Sequence, residues 1–267
     1  MGEFFYCATI FFMDSDFQYK PGTNRLFFFF AAIGLFFIVA ATGYMVTRPR
    51  PTPPSNEITV TVPEGYSVRQ IGKLLADSQL FSEEAFVGSA LSEEGYLFPD
   101  TYRLYKDASP EEVIRKMKEN FERRLTPETR TEILRQKRTL ADVVIMASII
   151  EEEAQTPKDK KIIAGILWKR IKEGIGLQAD ATLTYLLGKT SAELTESDLR
   201  LDSPYNTYKY RGLPKGPISN PGLNTILATV YPTPSPYYYY LSDNDGVMHY
   251  AKTFEEHKQN KYIYIKR

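Results

Sequence analysis

The sequence is poor in the side chains on which most metalloproteins and many hydrolases depend. Among its 267 residues there is one cysteine, Cys7, and there are two histidines, His249 and His257. A single cysteine excludes an intrachain disulfide framework, and two histidines leave little from which to build a zinc site or a Ser/His/Asp triad. We therefore predict no metal site and no cofactor. Any chemistry is expected to depend on carboxylates, amides and hydroxyls.

An excess of charge is also absent, because 33 acidic residues balance 33 basic ones. A protein that binds nucleic acid through its phosphates usually carries an excess of Lys and Arg. The balance therefore predicts no nucleic-acid partner. The chain has no internal repeat of fixed period either, which argues against a solenoid or another repeat architecture.

One long hydrophobic run is present near the N-terminus. Residues Leu26 to Val46 contain no charged side chain, and they reach the roughly 20 residues that cross the hydrocarbon of a bilayer. We interpret this run as a transmembrane helix; the alternative is an apolar segment buried in a globular core. Basic residues lie on both sides of the run and do not fix its orientation. Residues 47–56 then contain R-P-R-P-T-P-P-S, which predicts a stiff, extended linker.

The rest of the chain predicts an α+β protein. Residues 57–62 alternate in the manner of a strand, and two segments with helical spacing follow, so that 57–92 form a small α+β module. From residue 109 onward the pattern is mainly helical, with hydroxyl residues directly before prolines at two predicted helix starts. We assign residues 93–267 to a larger mixed α/β domain, with a hairpin around D-N-D-G.

Three consecutive glutamates follow an apolar helical segment, L-A-D-V-V-I-M-A-S-I-I-E-E-E-A. On a helical wheel Glu151 continues the apolar line that runs from Leu140 to Ala147, whereas Glu152 and Glu153 rotate away from it. Two explanations fit this position. The helix reaches its exposed end at Glu151, or the line runs into the floor of a cleft, where a desolvated carboxyl serves as a general acid. Angular position alone does not decide between them.

Three downstream segments carry polar side chains that have no obvious role in a core. G-L-Q-A-D-A-T places Gln178 and Asp180 at alternate positions, which would share one side of an extended segment. S-P-Y-N-T-Y sets Asn206 beside Tyr208, a combination of amide and ring that suits sugars. The rigid loop G-L-P-K-G-P-I-S-N-P-G contains Asn220. Together these segments predict a polar groove without metal ligands, although each side chain could instead anchor its own loop.

Eight segments, in this order along the chain, carry a resemblance to a known family. They are the apolar span, V-P-E-G-Y-S-V, E-G-Y-L-F-P-D-T-Y, A-S-I-I-E, L-Q-A-D-A-T, Y-N-T-Y, G-L-P-K-G-P-I-S-N-P-G and G-V-M-H-Y…E-E-H. From residue 58 to the C-terminus the sequence resembles the YceG-like endolytic murein transglycosylases, the MltG family. It departs from the family pattern at Ala181 and Lys215, where proline is usual, and in the shortness of the segment before E-G-Y-L-F-P-D-T-Y.

The resemblance implies a fold, a cellular location and a reaction. It implies a LysM-like module at 57–92 and a YceG-like catalytic domain at 93–267, anchored in the inner membrane of a bacterium and facing the cell wall. Residues 1–25 would then be cytoplasmic. The implied reaction cleaves the β-1,4 bond between N-acetylmuramic acid and N-acetylglucosamine in peptidoglycan and leaves a 1,6-anhydro end, a lyase reaction that would terminate nascent strands.

The resemblance also assigns roles to residues and names partners. It assigns the catalytic glutamate to Glu151, the residue that the helical wheel separates from its neighbours. Besides the glycan strands and the membrane, peptidoglycan synthases are candidate partners. Five polar residues would bind and orient the glycan: Gln178, Asp180, Asn206, Tyr208 and Asn220.

Two other functions stay open at this point. In a two-carboxylate glycoside hydrolase, Asp180 would be the second carboxylate. In a non-catalytic scaffold of the cell-wall machinery, the same groove would only hold the glycan. Products separate the three functions, because hydrolysis leaves a reducing end, the lyase reaction leaves an anhydro end, and a scaffold leaves the strand intact.

Overall fold

The computed structural model describes residues 56–265. The predicted transmembrane helix at Leu26–Val46 and nearly all of the proline-rich linker lie outside these residues. Between residues 56 and 265, no helix has both the length and the hydropathy that a membrane span needs.

The first part of the described chain is built on a two-stranded antiparallel sheet. Strand β1 (Glu57–Thr61) pairs along its whole length with strand β2 (Thr101–Tyr105). Between the strands the chain forms helices α1 (Val68–Asp77) and α2 (Glu83–Ala90). We call these four elements the N-terminal module.

The rest of the described chain is mainly helical, as the sequence predicts. Seven helices follow in order: α3 (Pro110–Arg124), α4 (Pro127–Arg135), α5 (Leu140–Glu153), α6 (Pro157–Lys172), α7 (Asp180–Leu187), α8 (Glu196–Leu199) and α9 (Leu223–Val230). The described chain closes with the predicted hairpin and a short helical end: β3 (Tyr239–Ser242), β4 (Met248–Ala251), α10 (Phe254–Asn260) and a π-helical turn (Lys261–Ile265).

The N-terminal module shares one apolar core with α3. Val60 of β1 pairs with Tyr102 of β2, and both side chains are buried. The same cluster of buried residues includes Phe86 of α2 and extends to Met117 of α3. The predicted boundary after residue 92 therefore runs between two paired strands of one sheet. The division of the chain into 57–92 and 93–267 stays a prediction.

The starts of the helices follow from local capping chemistry. Ser109 and Thr126 each precede a proline, and each hydroxyl accepts a hydrogen bond from a backbone N–H in the first turn of α3 or α4. Thr139 and Asp142 form a reciprocal capping box at the start of α5. Each such cap stabilises its helix by about 1 kcal/mol. The two helix starts predicted from a hydroxyl residue before a proline, those of α3 and α4, are confirmed.

Helix α5 has buried residues on every side. Seven of its fourteen residues are buried. Ile149 and Ile150 pack in one cluster with side chains of α6, whereas Val143 and Ala147 pack in another with side chains of α3 and α9. A helix that is apolar all round has no single buried line. Position on a helical wheel therefore cannot show which glutamate of the triplet faces a cleft.

The predicted extended conformation of residues 176–182 is wrong. Gln178 has a positive φ of 50°, and Asp180 is already the first residue of α7. Thr182 belongs to the same helix. Its side chain is fully buried in the protein, and its hydroxyl donates to the Ala179 carbonyl. The three polar residues at alternate positions are therefore not placed alike, because Thr182 is buried in the protein.

Candidate active site

A cavity of about 710 Å³ lies where the end of α5, the start of α7 and the C-terminal hairpin meet. Three of the predicted glycan-binding residues, Gln178, Asp180 and Tyr208, line it. Other polar groups also line this cavity, and the sequence predicts no role for them; among them are Glu152, Glu153, Arg170, Tyr240, His257 and Lys261. We call this cavity the main groove.

Glu153 is the last residue of α5. Among the carboxyl groups that line the main groove, its pKa departs most from the ordinary value. Burial raises its pKa to about 7, and the nearby Asp180 carboxylate acts in the same direction. A hydrogen bond with Tyr240 and the positive charge of Arg170 oppose part of this shift. A carboxyl with a pKa near 7 can both give and take a proton at neutral pH, as acid–base catalysis requires.

Two tyrosines hold the polar floor of the main groove. The Tyr208 hydroxyl donates a hydrogen bond to Asp180, and Tyr240 is hydrogen-bonded to Glu153. Burial raises the pKa of both phenols above their ordinary value. Both tyrosines therefore remain protonated at neutral pH and act as hydrogen-bond donors. They fix the positions of the two carboxyls, Glu153 and Asp180.

Glu151 lies in a different environment. One of its carboxylate oxygens is 2.5 Å from the Lys160 ammonium, and the two side chains are only 7% and 6% exposed. The other oxygen accepts hydrogen bonds from the Gly222 backbone N–H and the Thr225 hydroxyl, at the start of α9. Glu151 thus joins α5 to α6 and α9. Neither of the two cavities beside the acidic triplet is lined by this residue.

A second cavity of about 370 Å³ adjoins the main groove. Glu152 lines both cavities, together with Ala181 and Thr184. The second cavity is also lined by the N-terminal module, through residues 65–70 at the start of α1. The polar surface beside Glu153 therefore continues along the N-terminal module.

Asn206 does not reach the main groove. Its side chain is 1% exposed, and its amide nitrogen donates to the carbonyls of Leu199 and Leu201. Its amide oxygen accepts from the backbone N–H groups of Tyr208 and Lys209. All of its strong hydrogen-bonding positions are occupied by its own loop. Asn206 anchors the loop that carries Tyr208.

Asn220 is likewise fully buried, in a polar cluster that joins the N-terminal module to the rest of the protein. Its amide nitrogen donates to the Tyr66 carbonyl and to Glu94, and its amide oxygen accepts from the Leu97 N–H. Glu94 also accepts from the N–H of Val68, the first residue of α1. Burial raises the pKa of Glu94 to about 7. The sequence displays Glu94 in E-G-Y-L-F-P-D-T-Y but gives no sign of this role.

The residues that sequence reasoning missed come together only through tertiary structure. Arg170 and Glu153 belong to different helices, and Tyr240 and His257 follow about ninety residues later. The sequence signal was present for Glu153, as a member of the triplet, and for His257, at the end of G-V-M-H-Y…E-E-H. No signal marks Arg170 or Tyr240. Among residues 56–265, no group of three or more His, Cys, Asp or Glu is arranged to hold a metal ion.

Comparisons with known proteins agree on one family. Residues 43–262 match the model of the YceG-like family. A Bacillus subtilis protein called endolytic murein transglycosylase is 34% identical over 235 residues, which cover 77% of this chain and 65% of the relative. A Streptococcus pneumoniae protein with the same name is 30% identical over 241 residues, which cover 76% of this chain and 44% of the relative. The chain thus spans less than two thirds of the length of either relative.

The fold also matches a solved structure. The crystal structure of a YceG-like protein from Listeria monocytogenes superposes with a TM-score of 0.68 at 33% sequence identity, and the match covers 75% of each chain. The chain therefore belongs to the YceG-like family.

Proposed function

We propose that this protein is an endolytic transglycosylase that cleaves the glycan strands of peptidoglycan and leaves a 1,6-anhydro-N-acetylmuramic acid end. One observation carries the proposal: the carboxyl of Glu153, with a pKa raised to about 7, lies in an open polar groove between Asp180 and two tyrosines. The names of the two bacterial relatives, which describe murein transglycosylases, support the same reaction.

Glu153 acts first as the acid and then as the base. Its carboxyl proton passes to the glycosidic oxygen, the bond from C1 to that oxygen breaks, and the bonding electrons leave with the oxygen. The resulting Glu153 carboxylate then accepts the proton of the 6-hydroxyl of N-acetylmuramic acid, while the hydroxyl oxygen bonds to C1. The reaction consumes no water. Asp180, held by Tyr208, adds negative charge beside the positive charge that develops at C1.

Glu153 is preferred to Glu151 as the acid because of what surrounds each carboxyl. Both oxygens of Glu151 are engaged by Lys160 and by the start of α9, and its side chain is almost inaccessible. Glu153 faces the cavity. Gln178 and Tyr208 are proposed to bind the glycan, whereas Asn206 and Asn220 support the groove from within the protein.

We also propose that residues 26–46 anchor the protein in the membrane, with the catalytic part on the wall side and residues 57–92 forming a LysM-like unit. The charge-free run in the sequence and the extracytoplasmic substrate support this topology. Peptidoglycan synthases are the proposed protein partners. A C-terminal alkaline phosphatase fusion tests the topology: activity in intact cells is expected, and activity only of a cytoplasmic reporter would contradict it.

A two-carboxylate hydrolase is the second candidate, favoured by the presence of Asp180 in the same cavity as Glu153. Digestion of purified, peptide-free glycan strands, followed by mass spectrometry before and after borohydride treatment, separates the candidates. Transglycosylation gives ends that borohydride leaves unchanged. Hydrolysis gives ends that gain two hydrogens, and a scaffold without activity gives no new ends.

A further inference from the structure

Four consecutive apolar residues near the end of the described chain are all exposed. They are Tyr262, Ile263, Tyr264 and Ile265 of the π-helical turn, whose exposed fractions lie between 39% and 69%. We call these four side chains the C-terminal patch. Elsewhere between residues 56 and 265, no two neighbouring large apolar residues are both exposed. Contiguous exposed apolar side chains mark a surface that contacts another molecule or a membrane.

The C-terminal hairpin holds the patch in place. The Tyr264 ring stacks on His249 of β4, with ring centres 3.6 Å apart and planes inclined by 14°, and Ile265 lines the main groove. Helix α10 leads directly into the π-helical turn, and its His257 stacks on Tyr239 of β3. The exposed side chains are therefore presented by a fixed part of the fold.

Basic residues accompany the C-terminal patch. Residues 258–267 read K-Q-N-K-Y-I-Y-I-K-R, with four basic side chains and no acidic one, in a chain whose total charges balance. Lys258 lies one helical turn before the patch, Lys261 directly precedes it, and both are exposed. Lys258 also pairs with Glu255, but both side chains are more than half exposed, so this pair is weak. Lysines interleaved with tyrosine and isoleucine are typical of a surface that lies at the interface of an anionic membrane.

The proposed anchor brings a membrane within reach of this surface. Only residues 47–55 separate residues 26–46 from the first described residue, and a linker of this length spans at most about 35 Å. A tethered bilayer is present at a high effective concentration, so a weak contact of a few side chains suffices. A second copy of the chain is a poorer occupant, because its own patch would bring the same positive charge.

We propose that the C-terminal patch docks on the surface of an anionic membrane, with its tyrosine and isoleucine side chains among the headgroups and the neighbouring basic side chains beside lipid phosphates. The inference rests on the proposed function, because it takes residues 26–46 as a membrane anchor. Lys261 and Ile265 also line the main groove. Docking therefore holds this rim of the main groove at the bilayer surface.

The test places a fluorescent probe in the patch of the full chain. Cys7 is the only cysteine, so Cys7→Ser with Ile263→Cys gives one site for an environment-sensitive dye. Cys7→Ser with Leu134→Cys is the control, at a residue of α4 that is 72% exposed. Each protein is reconstituted at one copy per nanodisc, in phosphatidylcholine alone or mixed with phosphatidylglycerol. With phosphatidylglycerol the dye at position 263 should shift its emission to shorter wavelength and be quenched by nitroxide-labelled lipid, and high salt should reverse both effects. The dye at position 134 should not respond.

Charge variants test the electrostatic part of the contact with the same dye at position 263. Lys258→Gln with Lys261→Gln should lower the ratio of docked to undocked protein by about 10- to 30-fold in discs that contain phosphatidylglycerol. Lys73→Gln with Lys106→Gln is the matched control, because it removes the same charge at two exposed positions near the other end of the described chain. This control should leave the ratio unchanged.

The outcomes distinguish the docking proposal from the proposed anchor. A chain that does not enter nanodiscs would reject the anchor, and docking with it. Entry into nanodiscs without a response at position 263 would reject docking alone. Equal responses at positions 134 and 263, or equal effects of the two lysine pairs, would also overturn docking. A response only in discs that hold two copies would overturn it by assigning the patch to a contact between copies of the chain.

Discussion

At the scale of single residues, two neighbouring glutamates illustrate opposite uses of a buried carboxyl. Glu151 is paired with a buried lysine and two further donors, so its charge is compensated within the protein. Glu153 lies beside Asp180, and burial leaves its pKa near 7. A fully compensated carboxylate supports structure, whereas one that is only partly compensated, as Glu153 is by Tyr240 and Arg170, retains a transferable proton near neutral pH.

The raised pKa of Glu153 has a consequence for stability. Between pH 4.5 and about pH 7 the folded protein keeps a proton that the unfolded chain releases, so the free energy of unfolding falls as the pH rises through this range. Glu94, whose pKa burial also raises to about 7, contributes with the same sign. Well above pH 7 both carboxyls are ionised in the folded and in the unfolded protein, so neither changes the free energy of unfolding further.

Glu153→Gln should therefore be more stable than wild type at pH 8, because the amide carries no charge that burial penalises. The difference in melting temperature should shrink toward zero as the pH falls to 4.5. Thermal melts at several pH values measure it. In wild type, kcat/KM should decrease as the pH rises through about 7, since the acid loses its proton. A variant that melts below wild type at pH 8 would count against the raised pKa.

Glu151→Gln should have a different effect. The change leaves the buried Lys160 ammonium without its counter-charge, and breaking one side of such a pair costs about 3–5 kcal/mol. Urea denaturation should show this loss, and the double variant Glu151→Leu with Lys160→Met should recover much of it. Activity per folded molecule should remain. A normally stable but inactive Glu151→Gln would restore the acid role that the resemblance to the family implies for this residue.

At the scale of secondary-structure elements, the sequence is informative where the signals are local. Ser109, Thr126 and Thr139 start their helices through hydroxyl contacts within one turn, and the D-N-D-G hairpin forms as predicted. Helix α5 itself was also predictable. The direction in which each of its glutamates points was not, because two separate cores surround the helix and only tertiary packing leaves Glu153 beside the groove.

The candidate site was predictable in part for the same reason. Gln178, Asp180 and Tyr208 line the main groove, although the extended conformation from which the first two were predicted is wrong. For Asn206 and Asn220, only the residue type and a polar loop predict a contact with the glycan. Residue type does not tell a substrate contact from a loop anchor, since both roles use the same amide hydrogen bonds. The burial and partners of the side chain make the distinction.

Asn206→Ala and Gln178→Ala separate the two roles. Asn206→Ala should lower the free energy of unfolding by about 1–3 kcal/mol, because carbonyls and N–H groups of its loop lose their partner. Gln178 is exposed, so Gln178→Ala should melt like wild type but lower kcat by about 10- to 100-fold if it orients the sugar. Thermal melts and steady-state kinetics on the same preparations measure both. Unchanged kcat in a folded Gln178→Ala would remove that residue from the site.

At the scale of the whole described molecule, the N-terminal module forms part of the wall of the second cavity, which adjoins the main groove. The start of α1 lines the second cavity. The buried cluster of Glu94, Asn220 and Tyr185 holds that helix start against the rest of the protein. The predicted boundary after residue 92 separates β1, α1 and α2 from both β2 and this cluster. Strand pairing and buried polar contacts between segments distant in sequence leave no local signal.

Glu94→Gln tests this connection. The carboxyl of Glu94 accepts hydrogen bonds from Val68, Tyr185 and Asn220. The amide of Gln would point an N–H group at one of these donors. The free energy of unfolding should therefore fall by about 1–3 kcal/mol. Glu93→Gln is the matched control, because Glu93 forms a partly exposed ion pair with Lys118 and its loss should cost less than about 1 kcal/mol. Equal effects of the two changes in urea denaturation would argue against a structural role of the cluster.

The most direct test of the central claim, that Glu153 is the catalytic acid and base, is the count of 1,6-anhydro ends released from purified glycan strands. Wild type, Glu153→Gln and Glu151→Gln are compared by mass spectrometry at equal concentrations of folded protein. We predict no new anhydro ends with Glu153→Gln and near wild-type release with Glu151→Gln. Release by Glu153→Gln at the wild-type rate, with none by Glu151→Gln, would contradict the account.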